Sequence, residues 1–395
     1  MLGKYSPLYL VYSFFPFNLF RVPSRFIWIF VFIILILAAE GWTRLWQVKI
    51  YRTCIRAALV AAAALNTIFL INVWYPYHAI VPAASWLVPP ELAAHLPAPS
   101  RIRSIGAEAV HNQTFIPSGW QTMDPYRFLR SALTPNSNIY WDITNAQVYA
   151  GRFLARPAAM DTLISQELTF DEHAATVSSL GKKLLNLGGV GTLIVALPLT
   201  QTGFTPLTSV SSGSTTITAW HNPTSLPRAY LATRPVLATT KEQAYAALAR
   251  DDFVPGESVL VETALPLSLG QKTTADVSLS NVRDTDITIF VKSNTQDALL
   301  VFTDTYYPGW GATMDGMEVP VFPVNIAQMG VLIPQGDHTV QFRYHPKSIT
   351  TGAWISAVSL ITLMALWVFP LFSSRFRTRQ KVLLRGVHRR RSHGR

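Results

Sequence analysis

Two pairs of side chains have residue types and a spacing suited to ligand binding, and the first pair is Arg21 and Arg25. They flank Pro23 where a long apolar run begins, so two guanidinium groups would meet the free N–H groups of a helix's first turn. A cation at that position opposes the helix dipole by about 0.3–1 kcal/mol, and a bound lipid phosphate would relieve this opposition. The alternative is that both arginines only extend toward lipid headgroups.

The second pair, Tyr307 and Trp310, flanks the dipeptide Pro308-Gly309. Pro-Gly is typical of the centre of a type II turn, so both rings are expected beside a hairpin. Rings in this position can stack on a sugar. The alternative is that they fill the edge of a sheet, where aromatic residues often pack.

Other residue types that carry chemistry are scattered. The nine histidines show no HxH or HxxxH spacing, Cys54 is the sole cysteine, and no glycine-rich phosphate loop is present. We therefore expect no metal site and no cofactor. The basic C-terminal tail is interpreted as a determinant of membrane topology that also attracts anionic lipid, and we expect no nucleic-acid partner.

The composition indicates a membrane protein. Of the 395 residues, 49% are hydrophobic and only 14% are charged, whereas about a quarter are charged in soluble domains. Three apolar runs have the length of transmembrane helices: 26–42, 57–75 and 353–372. The shorter run 7–20 contains Pro16 and is interpreted as an interfacial segment. We expect a multi-pass protein of the plasma membrane.

The basic residues predict the orientation of these spans. The loop between the first two spans holds Arg44, Lys49, Arg52 and Arg56, and nine more basic residues lie in 373–395. Only three precede the first span. Because cytoplasmic segments are enriched in Lys and Arg, the C-terminus is predicted inside and residues 76–350 outside the cytoplasm.

The extracytoplasmic region changes pattern along its length. In its first part, apolar strands such as 190–197 alternate with helical stretches; Thr169 and Glu172 resemble a capping box, and 241–250 is a helix candidate. From Ser258 onward, short alternating strands are separated by turn residues, which is typical of a jelly-roll or immunoglobulin-like β-sandwich.

The predicted fold class is thus an α+β membrane protein with three transmembrane helices. Its predicted parts are an interfacial segment with two spans (1–75), an extracytoplasmic small α/β domain (76–252), a C-terminal β-sandwich (253–350), a third span (351–372) and a basic cytoplasmic tail (373–395).

Several strings resemble one protein family. DTYYPGWGATMDGMEVPVFPVN (304–325) and VLIPQGDHTVQFRYHPKS (331–348) are similar to the C-terminal β-domain of the YfhO family of bacterial membrane proteins. FNLFRVPSRFIWI, LLNLGGVGTLIV and NPTSLPRAYLA fit the same family in order. The resemblance extends from about residue 17 to the last span.

This resemblance implies a type C glycosyltransferase-like protein, which moves a sugar from a polyprenyl-phosphate carrier to an acceptor outside the membrane. In such proteins the catalytic aspartate lies toward the N-terminus. Because this chain opens on what resembles a late outer loop, we expect a C-terminal portion without that half, and we assign no catalytic residue. The expected partners are membrane lipids, a polyprenyl-phosphate-linked sugar, an envelope glycan acceptor and other membrane subunits.

Two alternatives stay open. The chain could be a non-catalytic, membrane-tethered module that binds carbohydrate or assists assembly. It could also be a structural subunit that packs against other membrane helices. The first alternative requires sugar binding by this chain alone, whereas the glycosyltransferase interpretation requires a catalytic half.

Overall fold

A computed structural model describes residues 27–49, 52–75, 81–97, 101–118, 122–147, 154–170, 174–200, 203–213, 215–265 and 273–367. The chain divides into two compact units, Met1–Ser225 and Leu226–Arg395. Arg21 and Arg25 lie outside the described residues, as do the 7–20 segment and the tail. The predicted phosphate site therefore stays a prediction.

The first unit begins with two apolar helices, α1 (Ile27–Gln47) and α2 (Arg52–Trp74). Residues Arg52–Val73 of α2 have a mean hydropathy of 2.0 and no buried part, so this helix is long and apolar enough to cross a membrane. Helix α1 covers the first predicted span, and its crossing of a membrane stays a prediction. Arg56 of α2 connects the two helices by noncovalent contacts. Its guanidinium donates hydrogen bonds to the Trp46 carbonyl, and its Cζ lies 4.7 Å from the centre of the Trp46 ring.

After α2 the first unit is a mixed helix and strand structure. Two short 3₁₀ turns, Glu91–His95 and Asn138–Trp141, accompany its regular elements. These elements are α3 (Ala83–Leu87), β1 (Arg101–Ile105), α4 (Ala107–Ser118), α5 (Asp124–Ser131), α6 (Ala155–Gln166), β2 (Leu168–Phe170), β3 (Ala175–Val177), α7 (Ser179–Leu187), β4 (Val190–Val195), β5 (Thr205–Ser212) and β6 (Thr215–His221).

The main sheet of this unit has the order β1-β4-β6-β5, with β1 and β4 parallel. Every residue of β4 is buried, as its continuous apolar sequence predicted. Helices cover both faces: Ile102 packs in one core with Phe128 of α5, while its neighbour Arg103 forms an ion pair at 2.7 Å with Asp161 of α6. Adjacent strand residues point to opposite faces, so α5 and α6 lie on opposite sides of the sheet.

The predicted capping box at Thr169 is wrong. Thr169 lies in β2, where it pairs with Thr176 of β3, and Glu172 lies outside the described residues. Helix α7 begins ten residues later than Thr169, and its cap is Ser178, whose hydroxyl accepts a hydrogen bond from the Gly181 N–H at 2.9 Å. Strand pairing overrides the local capping pattern at this point.

The second unit contains two sheets and a C-terminal helix. Its elements are β7 (Ala229–Ala232), β8 (Arg234–Leu237), α8 (Lys241–Ala249), β9 (Ser258–Val261), β10 (Asp276–Ser280), β11 (Asp286–Asn294), β12 (Ala298–Thr305), β13 (Trp310–Met314), β14 (Met317–Val319), β15 (Phe322–Val324), β16 (Gln328–Ile333), β17 (Gly336–Tyr344) and α9 (Lys347–Trp367).

One sheet has the order β10-β11-β17-β13-β14 and the other β7-β12-β16-β15-β9-β8. All neighbours are antiparallel except β8 and β9, which are parallel and joined by α8. The predicted domain boundary lies between residues 252 and 253. Strands β7 and β8 precede this boundary and pair within the six-stranded sheet. Helix α8 begins as predicted, with Thr240 accepting a hydrogen bond from the Gln243 N–H.

Side chains from both sheets share one core. Ile289 and Val340 come from the five-stranded sheet and Leu300 from the six-stranded sheet, and all are buried. The rings of Phe302 and Phe342, one from each sheet, have centroids 5.4 Å apart. The α+β class is therefore confirmed, while the jelly-roll or immunoglobulin-like assignment stays a prediction.

Helix α9 is the second described helix that is long and apolar enough to cross a membrane. It has 21 residues and a mean hydropathy of 1.7, and no part of it is buried. Only two residues, His345 and Pro346, separate it from the end of β17.

Replacing Phe302 by Ala should lower the free energy of unfolding by about 3–5 kcal/mol, because it leaves a cavity between the two sheets. Met317→Ala is the matched control: Met317 is 69% exposed, so its loss should change stability by no more than about 0.5 kcal/mol. Denaturant unfolding of the detergent-solubilised chain measures both. Equal effects of the two variants would contradict the shared core.

The hairpin between β13 and β14 is fixed to β17 by one carboxylate. Asp315 and Gly316 both have positive φ (52° and 86°), which a two-residue type I′ turn requires. One Asp315 oxygen accepts a hydrogen bond from the Thr339 N–H at 2.8 Å, and the other lies 2.7 Å from Nδ1 of His338. These bonds, that from His338 above all, lower the pKa of Asp315 from its usual value of 3.8.

Because the pKa of Asp315 is lower in the folded than in the unfolded chain, the folded state binds fewer protons. The stabilisation is present above pH 3.8 and is lost as the pH falls through the lowered pKa. Asp315→Asn should therefore lower the melting temperature at pH 7, and the difference from the unmodified chain should shrink in acid. A pH-independent difference, or an equal effect of the exposed control Asp284→Asn, would refute this role.

Candidate functional site

The Pro308-Gly309 turn joins β12 to β13 and lies against the start of the C-terminal helix. The Trp310 N–H donates to the Tyr307 carbonyl at 3.3 Å, and Gly309 has a φ of 115°, so the turn has the hydrogen bond and the positive φ of a type II turn. A Cβ on Gly309 would lie 2.9 Å from both Cα and Cβ of Pro346. Only glycine permits this approach.

The linker after β17 is held by the same turn. The His345 N–H donates to the Gly309 carbonyl at 2.8 Å. Since α9 begins at Lys347, the turn and the first residue of the helix are parts of one packed corner.

This corner borders an open cleft of about 750 Å³. Its walls come from β13, β14 and β17, and its end is formed by the linker and the first residues of α9. Its polar and aromatic lining residues are Trp310, Thr313, Glu318, Gln341, Arg343, His345, Lys347 and Ser348.

Trp310 lies in this cleft and Tyr307 is not among its lining residues. The Trp310 ring is half-buried against the core shared by the two sheets, with its centroid 5.2 Å from that of Tyr344. Tyr307 is 42% exposed. The two predicted sugar-binding rings therefore diverge. Trp310 pairs with Tyr344, so its ring lies on the core face of β13, whereas Gly311 and Thr313 lie on the cleft face. Sugar binding by either residue stays a prediction.

The sheet surface beside Trp310 carries a connected polar group. Gln341 donates through Nε2 to one oxygen of Asp286 at 3.0 Å, and a guanidinium nitrogen of Arg343 lies 3.5 Å from the other oxygen. The Arg343 side chain stays 65% exposed, so most of its five donors remain available to a ligand. In the strand register Arg343 is opposite Gly311, where a Cβ would meet nothing within 4 Å.

The glycine therefore leaves open space directly beside the guanidinium. Thr313 pairs with Gln341 on one side and Glu318 on the other, so the cleft presents donors and acceptors in one row across three strands. Hydroxyl groups both donate and accept, so a hydroxyl-rich ligand can use this mixture of donors and acceptors.

Sequence inspection did not single out Gln341, Arg343 or Glu318. The alternation in HTVQFRY places Gln341 and Arg343 on one face, which is the available local signal. Their meeting with Glu318 depends on the pairing of β17 with β13 and of β13 with β14. Among the described residues, no group of three or more His, Cys, Asp or Glu side chains is arranged to hold a metal ion.

The comparisons with known proteins give one match. The model of a family described as bacterial membrane protein YfhO matches residues 260–356. The match confirms the resemblance recognised from the sequence for the C-terminal portion, and it includes the whole cleft and the beginning of α9. No curated protein and no solved structure matches the chain. The family match and the two apolar helices together support a membrane location.

Proposed function

We propose that this YfhO-type membrane protein holds a sugar unit of a cell-envelope glycan in the cleft beside α9. In this proposal it is the C-terminal portion of a glycosyltransferase-like protein whose donor is a polyprenyl-phosphate sugar. The observation that carries the proposal is the meeting of Arg343, Gln341, Thr313 and Glu318 around an open glycine floor in one cleft at the start of a candidate span.

The chemistry of the cleft suits a sugar. A pyranose presents hydroxyls at its edge, and these are complementary to polar side chains that line a cleft in one row. The Arg343 guanidinium can only donate hydrogen bonds, and the ionised Glu318 carboxylate can only accept them. Gln341 and Thr313 can do both. The cleft therefore offers partners for hydroxyls in either role.

The position of the cleft suits a substrate attached to lipid. Lys347 lines the cleft and is also the first residue of α9, so if α9 spans the membrane, the cleft opens at the membrane surface. We further propose three spans, α1, α2 and α9, with residues 76–350 outside the cytoplasm and the C-terminus inside. The support is the basic character of the α1–α2 loop and of the tail.

A binding experiment on the intact chain tests the proposal. The chain in lipid nanodiscs is titrated with oligosaccharides released from bacterial cell-envelope polymers, and binding is followed by saturation-transfer nuclear magnetic resonance. Arg343→Gln should weaken binding about tenfold or more, since a hydrogen bond from a charged group contributes about 1.5–3 kcal/mol. The matched control Arg283→Gln changes an exposed arginine that does not line the cleft and should bind as the unmodified chain does.

Equal binding by the two arginine variants, or no binding by the unmodified chain, would contradict the proposal. Both variants should keep the melting temperature of the unmodified chain, because both side chains are exposed. A lowered melting temperature of Arg343→Gln would show that its loss of binding results from unfolding rather than from the missing guanidinium.

One observation favours the non-catalytic alternative, a membrane-tethered carbohydrate-binding or assembly module. Both oxygens of Asp286 face the side chains of Gln341 and Arg343, so this carboxylate is engaged rather than available as a general base. Product analysis of the same samples, supplied with a polyprenyl-phosphate sugar, separates the two. Sugar transfer supports the enzyme, and binding without transfer supports the module.

A further inference from the structure

A row of exposed apolar side chains lies on the first unit, in the segment that follows α2. Two parts of the chain contribute to it. Leu87 and Val88 are 52% and 58% exposed, and Ile139 and Tyr140 are 69% and 63% exposed. Neither the family match nor the proposed sugar cleft involves these residues.

Arg130 holds the two parts together. Its guanidinium lies 5.6 Å from the centre of the Trp86 ring and 5.3 Å from that of Trp141. Its Nε donates to the Trp86 carbonyl at 3.0 Å, and another guanidinium nitrogen donates to the carbonyl of Val88.

A further hydrogen bond connects the 3₁₀ turn Asn138–Trp141 to the segment that contains Trp86, Leu87 and Val88. Nε1 of Trp141 donates to the Leu87 carbonyl at 3.0 Å, and the Tyr140 ring lies 6.0 Å from the Trp141 ring. The exposed residues are therefore neighbours in a built surface. We name Trp86, Leu87, Val88, Ile139, Tyr140 and Trp141 the apolar ridge.

We propose that the apolar ridge inserts into the interface of the lipid bilayer that α2 crosses. Tyr75 directly follows α2, and Val81 is six residues later, so the chain can place these two residues no more than roughly 22 Å apart. The ridge segment is thus tethered close to the point where α2 leaves the membrane.

The composition of the ridge matches this occupant. Trp and Tyr are enriched where proteins cross the membrane–water interface, since one end of each ring system is apolar and the other polar. Residues 81–90 contain no charged side chain. The charge of Arg130 is directed at two aromatic rings and two carbonyls rather than at the ridge surface, and burial lowers its pKa.

The flanks limit the depth of insertion. Glu91 follows the first part of the ridge and Asp142 the second, and both are exposed. Carboxylates are costly in hydrocarbon, so the ridge should reach the headgroup and upper acyl region and no further.

Spin labels measure the insertion directly. In a Cys54→Ser background, Ile139→Cys is labelled with a nitroxide and the full chain is placed in nanodiscs of phosphatidylethanolamine and phosphatidylglycerol. The label at 139 should collide more with oxygen than with a water-soluble nickel complex. The control Ser165→Cys lies on α6, which covers the opposite face of the sheet, and should show the reverse order.

Two results would overturn the proposal. A label at 139 with the same water exposure as the label at 165 would place the ridge in solvent. A label shielded from both reagents would mean that protein, such as a second copy of the chain, covers it. Should Ile139→Cys fail to fold, Val88→Cys on the other part of the ridge provides the same reading.

Discussion

The contact between Gly309 and Pro346 is the constraint on which the second unit's arrangement depends. Strand β17 pairs with β11 on one side and β13 on the other, and only two residues separate it from α9. The close approach at Gly309, together with the hydrogen bond from His345, fixes those two residues against the turn. A membrane-length helix is thereby attached to the sheet without a flexible linker.

Core packing and the lining of the cleft are divided between the two faces of that sheet. Phe342 and Val340 point into the shared core, while Gln341 and Arg343, which alternate with them, point into the cleft. The inner residues are constrained by packing, since cores are as dense as organic crystals. The outer residues are free of that constraint, so the cleft's chemistry can vary without loss of the fold.

Much of the secondary structure follows from local sequence, but the cleft does not. The buried strand β4 and the helix α8 were predictable because continuous apolar residues and a threonine cap act within a few residues. The capping box at Thr169 failed because a strand partner, Thr176, determined its conformation instead. Trp310 was recognised from its turn, whereas Glu318 and Arg343 meet only through the register of three strands. The apolar ridge likewise depends on Arg130, which joins segments distant in sequence.

The proposed topology places the cleft outside the cell, at the membrane surface. The most direct test uses Met317→Cys in a Cys54→Ser background, because Met317 is exposed at the hairpin beside the cleft. A membrane-impermeant maleimide should label this cysteine in intact spheroplasts. In a parallel sample of the unmodified chain, the native Cys54, exposed at the start of α2, should react only after the membrane is opened. The opposite pattern, with Cys54 labelled from outside and position 317 protected until lysis, would contradict the account.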